Sequence, residues 1–312
     1  SMWRLGWVAH AIRTDPRALC DANIFYPEHD TLAYSDAMLL PGVVLAPFFW
    51  AGVDPVVIYN SALFTAFALS GYAAFLLARL LTGSVTGAMI AGVIYAFAPY
   101  RFTHYMHLEL QMVFWIPFAL LLIHRVIAGG RVRDGVVLGL TVAAQLFSCV
   151  YVGIFSLVYF AVLVPALLVL TGVRHARRLL IPTTVAAMLT ITIVAPYALP
   201  YMRAERSVGA RSLDEVTVYS ASKANYLSAP AMNRLYGWTA VADRTWADEM
   251  NLFPGIVAFA LALLGIVGGR GRVRFAYLAG LAVTVPALST CGCSNTFERS
   301  RRCDRLRALP FL

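Results

Sequence analysis

The sequence predicts an all-α, polytopic helical membrane protein of about eight spans, and three observations carry the prediction. Hydrophobic residues make up 60% of the 312 and charged residues only 13%, where ordinary soluble domains carry about 25% charged. The runs 135–172, 179–202 and 252–269 contain no Asp, Glu, Lys or Arg. A charge at the centre of a bilayer costs roughly 2.5–3.5 kcal/mol, so runs of this length without one read as lipid-facing helices. Finally, Arg79, then Arg125, Arg131 and Arg133, then Arg174, Arg177 and Arg178, then Arg270, Arg272 and Arg274 fall in alternate loops. By the positive-inside rule those loops are cytoplasmic and the intervening ones are not.

The predicted spans are 57–79, 84–100, 108–124, 135–150, 152–172, 179–201, 252–269 and 275–290, each near the length of about 20 residues that a bilayer requires. The charge-free run 135–172 would reach about 57 Å as one helix, too long for one crossing, so a break is placed at Ser148-Cys149-Val150-Tyr151-Val152-Gly153. Residues 37–51 are apolar but short and hold Pro41 and Pro47. They read as a helix lying on the outer membrane face, which keeps 1–36 on that side. The organisation that results is an acidic outer loop with its interfacial helix (1–56), a six-helix core (57–202), a second outer loop (203–251) and two more spans (252–290). A basic tail (291–312) follows, at odds with the charge pattern before it.

The net charge of +9 raises the question of nucleic acid. The arginines are spread as loop anchors and form no stripe, so no nucleic-acid partner is expected. Five cysteines, with Cys291 and Cys293 as a lone Cys-x-Cys, give no metal framework. No G-x-S-x-G, H-E-x-x-H, Walker or G-x-G-x-x-G motif occurs, which removes several common enzyme classes.

Candidate chemistry lies in the outer segments. Asp21, Glu28, His29, Asp30 and Asp36 cluster before the interfacial helix. Carboxylates held at a lipid surface can serve as general bases or bind a divalent cation. The alternative is a solvated, turn-rich loop in which Asp36 caps the helix that follows. In Tyr100-Arg101-Phe102-Thr103-His104-Tyr105-Met106-His107-Leu108-Glu109, His104 and His107 would share a helix face and could contact substrate or metal, or anchor at the interface. Arg101 is the strong cation of a short outer loop, suited to a phosphate. In the second outer loop Arg203, Arg206 and Tyr226, with neighbouring amides and aromatics, suit a phosphate and a sugar face. They equally suit a loop packed on a bilayer.

The order of these features resembles a known family. An acidic outer loop (NIFYPEHDTLAYSD), a Pro-containing interfacial helix, a Gly-Val-Asp-Pro step, and LLARLLTG before AGVIYAFAPYR resemble the multi-span glycosyltransferases of the GT-C superfamily. Those include protein mannosyltransferase-like proteins. The stretches APYRFTHYMHLELQMVFWIPFALLLIHR and SLDEVTVYSASKANYLSAP look more like a YfhO-type bacterial branch of it, over roughly residues 3–270. The resemblance implies a bacterial inner-membrane enzyme that moves a sugar from a polyprenyl-phosphate donor to an acceptor at the outer face. It also implies a base in Asp36 or Glu28, with Asp30 and Asp21 behind them, and a leaving lipid phosphate held by Arg101, with Arg203 or Arg206 as secondary candidates. Relatives carry a span and often an Asp before the point matching Ser1, so the chain is expected to be a fragment. A membrane transporter or flippase, or a non-catalytic assembly subunit, is the competing expectation.

Overall fold

The computed structural model describes residues 1–172, 176–209, 221–240, 250–268 and 271–289. The basic tail 291–312 and the loop stretches 210–220 and 241–249 lie outside the described residues. Every regular element among the described residues is helical. Among the described residues, five helical stretches are long and apolar enough to cross a membrane: Pro55–Thr82, Val85–Thr103, Leu108–Gly129, Val150–Leu170 and Arg178–Val208. The other three runs read as spans are also helical but shorter: Val132–Ser148, Ile256–Gly268 and Val273–Ser289.

The described chain falls into two compact units, the first comprising Ser1–Phe97, His104–Ser156 and Val173–Val208. It opens with a helix that the loop reading of residues 1–36 did not include, α1 (Met2–Thr14). Leu5, Val8, Ala9 and Ala11 bury one side of it, the three-to-four spacing of an amphipathic helix. That side meets α2 (Leu39–Trp50). Gly42 makes the approach close, since a β-carbon there would sit 2.6 Å from Val8. The Trp50 indole N–H donates to the Ala9 carbonyl at 2.9 Å.

The next helix, α3 (Pro55–Thr82), runs past the expected span 57–79 at both ends, as far as its capping residues. Asp54 accepts from the Val56 and Val57 N–H groups, Pro55 fills the first turn, and Gly83 takes the left-handed position (φ 70°) beyond the last turn. Ser84 then accepts from the Gly87 N–H at 3.1 Å and starts α4 (Val85–Ala96). The two helices pack through Gly71 and Gly92, where small residues let backbones approach. Two short helices, α5 (Pro99–Thr103) and α6 (Leu108–Gln111), lead to α7 (Trp115–Gly129).

Next come α8 (Val132–Ser148), α9 (Val150–Thr171) and α10 (Ala176–Val208). The expected break falls at Cys149, whose backbone is extended. Gly135 on α8 lies so near the Pro182 carbonyl of α10 that a β-carbon would clash, and one at Gly139 would sit 2.6 Å from the Ala186 oxygen. The Thr190 hydroxyl donates across the same seam to the Gly139 carbonyl at 3.0 Å. Gly139→Ala is therefore expected to cost about 1–3 kcal/mol by overpacking. Gly265→Ala, whose new methyl meets nothing within 4 Å, should be neutral or slightly stabilising. Thermal unfolding in detergent compares them, and equal midpoints would mean the α8–α10 seam is not tight.

The core of this unit gathers Leu5, Met38, Ala62, Ala66, Leu108 and Phe114, so residues from the first segment and from α3, α6 and α7 share one apolar centre. Its helix ends sort into two groups. At one end Asp36 meets Val150, Tyr201 meets Ala37, and Arg4 meets Glu109. At the other, Arg125 pairs with Asp134 at 3.2 Å and Gly130 abuts Arg178.

The second unit holds Ala98–Thr103, Leu157–Gly172 and the chain from Gly209 onward. Within it α11 (Ile256–Gly268) and α12 (Val273–Ser289) follow the long loop that leads out of α10. Gly280 of α12 lies against the Tyr159 ring, 2.7 Å from where its β-carbon would be. The described part of the loop folds on itself. Leu252 and Phe253 N–H groups donate to Asn225 and Ser228 carbonyls at 3.0 Å each, and the Tyr236 and Phe253 rings meet edge to face.

Candidate functional site

Two polar clusters form at the end of the first unit where segment 1–36 lies. The first is an open cleft. Asp15 caps the short 3-10 turn Pro16–Ala18 by accepting from the Arg17 N–H, which fixes Arg17 and the loop that follows. Asp30 stands before a second 3-10 turn, Thr31–Tyr34, with a left-handed backbone (φ 55°) that Asn, Asp and Gly tolerate best. The Asp21 carboxylate accepts from the Asp30 N–H at 2.7 Å, and the Thr31 hydroxyl donates to the Ala22 carbonyl at 3.0 Å. These bonds aim the Asp30 side chain at α10. There it meets Arg203 in a two-point pair, Nε to Oδ2 at 2.6 Å and Nη2 to Oδ1 at 2.8 Å.

A cavity of about 390 Å³ opens beside this pair, its polar side made by Arg17, Cys20, Asp21, Asp30 and Arg203. Its other side is apolar: Leu39, Phe147, and Ile193, Pro196, Tyr197 and Pro200 of α10. Burial, and then the charges of Asp30 and Asp21, push the Cys20 thiol up to about 11, so it is protonated at neutral pH and is no nucleophile. The arrangement can accept a molecule with a charged head and an apolar body.

The second cluster is interior. Asp36 is 5% exposed. One carboxylate oxygen accepts from the Val150 N–H at 2.5 Å and the other from the Cys149 thiol at 3.2 Å. Asp36 thus caps the start of α9 from more than a hundred residues away in sequence, where the exposed N–H groups and the helix dipole favour a carboxylate. Burial nevertheless raises its pKa, outweighing these hydrogen bonds. The Asp36 carbonyl accepts from Arg4 at 2.6 Å, and the other Arg4 nitrogen reaches Glu109 at 2.7 Å. The Tyr201 hydroxyl accepts from the Ala37 N–H and lies 2.9 Å from the Tyr197 hydroxyl.

The residues singled out in the sequence are therefore dispersed. Asp30 and Arg203, one expected as a base and the other as a phosphate anchor, are paired to each other. Asp36 is turned inward on a helix end. Glu28 is exposed, and Arg206, three residues beyond Arg203, is exposed as well. Arg101, expected as a loop cation, is 5% exposed within α5 and belongs to the second unit, as does half-buried Tyr226 in the 3-10 turn Lys223–Leu227. His104 is buried, with its carbonyl accepting from the Gln111 amide at 2.8 Å. Residues 104–107 form the turn between α5 and α6, so His104 and His107 do not share a helix face as their spacing suggested.

Arg4, Arg17, Tyr197 and Tyr201 escaped the sequence reading. Arg4 alone left a signal, as a charge inside the apolar run that begins the chain. Among the described residues no group of three His, Cys, Asp or Glu side chains gathers as a metal site. What is present is pairs, such as His29 Nδ1 at 3.5 Å from Asp21.

The fold and site together describe a helical membrane protein with an amphiphile-shaped cleft at one end of its first unit. No protein-family model matches the chain, nor does any curated protein or solved structure.

Proposed function

We propose that the chain is a glycosyltransferase that moves a sugar from a polyprenyl-phosphate-linked donor to an acceptor at the outer face of a bacterial inner membrane. The observation that carries this reading is the cleft in which a charged floor (Arg17, Asp21, Asp30, Arg203) meets an apolar wall (Leu39, Phe147, Ile193, Pro196, Tyr197). A lipid-linked sugar phosphate has that same division. The wall takes the start of the prenyl chain, and the two guanidinium groups take the phosphate. The sugar then lies over the carboxylates. The cleft's end of the unit is the one opposite Arg125 and Arg178, which supports the outer side.

In the reaction, the acceptor hydroxyl oxygen bonds to the anomeric carbon and gives its proton to a carboxylate. The bond from that carbon to the phosphate oxygen breaks, and its electron pair leaves with the lipid phosphate. Asp30 is better placed than Asp36 as the base, since a base must lie within hydrogen-bond reach of the proton it takes. Asp36 faces inward, and its part is to fix the start of α9 against segment 1–36.

The test is release of prenyl phosphate by the protein in vesicles holding a polyprenyl-phosphate-linked sugar and candidate acceptors. Arg203→Ala should lower kcat/KM about tenfold or more, the scale of one lost charge-assisted contact. Release unaffected by that substitution would remove Arg203 from the donor site and the main support for this reading.

A further inference from the structure

Arg203 reaches the cleft with its guanidinium already engaged at two points by Asp30. The Asp30 carboxylate presents two oxygens to that fork in the way a phosphate would. One side of the pair is open to water: the Arg203 side chain is 59% exposed, although that of Asp30 is only 12% exposed. Ion pairs open to water on one side are weak. The cleft's four charged side chains, Arg17, Asp21, Asp30 and Arg203, also sum to zero, so the floor has no standing attraction for a single negative charge. Asp30 cannot follow Arg203 far, because its N–H is tied to Asp21 and the turn after it is fixed by Thr31.

From this geometry we infer that Asp30 is an internal competitor for an anionic headgroup at Arg203, and that the ligand enters by taking Arg203 away from it. The ligand class is an amphiphile with a phosphate or pyrophosphate head and an apolar chain. A monoanionic head gains little by exchanging with a carboxylate. A phosphate able to reach Arg17 as well as Arg203 gains a second cation, so the competitor sets a threshold of charge and shape. The same exchange strips Asp30 of its counter-ion and leaves it free to accept a proton. That last consequence rests on the transferase reading; the competition does not.

The experiment is binding of geranylgeranyl phosphate in phosphatidylcholine vesicles to the whole protein, with inorganic pyrophosphate as the tail-free probe. Asp30→Asn and Asp30→Gly, both suited to the left-handed backbone, should each bind the prenyl phosphate about fivefold more tightly than wild type. Arg203→Ala should bind about tenfold more weakly. Binding by both Asp30 variants equal to or weaker than wild type would overturn the competition, and unchanged binding by Arg203→Ala would overturn the site. Phosphatidylglycerol vesicles separate the sources of the headgroup. If they leave binding of the prenyl phosphate unchanged, the ligand is the prenyl lipid. If they displace it fully, the same site and competition serve a bilayer phospholipid, and the transferase reading fails alone.

Discussion

With the transferase activity proposed above, Asp30→Asn is expected to lower turnover by about 10²–10⁴-fold, the usual contribution of general-base assistance. The expectation is specific because the substitution is nearly isosteric and suits the local backbone at φ 55°. The amide can still meet Arg203 with its oxygen, so folding should be preserved, but it cannot take a proton. Asp36→Asn provides the contrast. Its amide oxygen can go on accepting from the Val150 N–H, and it stands outside the cleft, so turnover should fall less than tenfold. Steady-state rates for the two variants, with thermal unfolding as the control on folding, decide between the carboxylates. A large loss at Asp36 with little at Asp30 would return the base to the interior position. A loss at neither would take proton transfer away from segment 1–36 altogether. Because Asp30→Asn is also expected to bind the prenyl phosphate more tightly, its loss of turnover cannot be assigned to weaker donor binding.

The parts of the molecule legible in the sequence are those governed by short-range rules. Asp54-Pro55 and Gly83-Ser84 bracket α3 and start α4 because capping depends on residues within one turn. The charge-free runs became helices because a lipid-facing backbone must satisfy its own hydrogen bonds. The cleft was legible only as ingredients. Asp30 and Arg203 were both singled out, but nothing in their spacing says that they pair, since the contact joins positions 173 residues apart. The role of Asp36 was misleading for the same reason. Its position before an apolar run suits a cap on the next helix, whereas its carboxylate caps α9. His104 and His107 went wrong through the period assumed, because the chain turns between them rather than continuing as a helix.

Arg4→Ala is expected to destabilise the protein by about 3–5 kcal/mol, the cost of leaving the buried Glu109 carboxylate without its guanidinium, with the Ser1 hydroxyl at 2.8 Å and His107 Nδ1 at 3.6 Å still beside it. The Arg4 and Glu109 side chains are 14% and 9% exposed, so water can replace little of what is lost. The truncation also removes the donor to the Asp36 carbonyl at 2.6 Å, which joins α1 to the segment that caps α9. The effect should therefore extend beyond the pair. The double variant Arg4→Met with Glu109→Leu should lose less than Arg4→Ala alone, because no buried charge is then orphaned. Denaturant or thermal unfolding in detergent supplies the comparison. A double variant as unstable as the single one would mean that the Asp36 carbonyl, not Glu109, is what Arg4 chiefly serves. A single variant as stable as wild type would mean that Glu109 finds water or a proton at that site, and the interior cluster would lose its place as the joint between segment 1–36 and the helices.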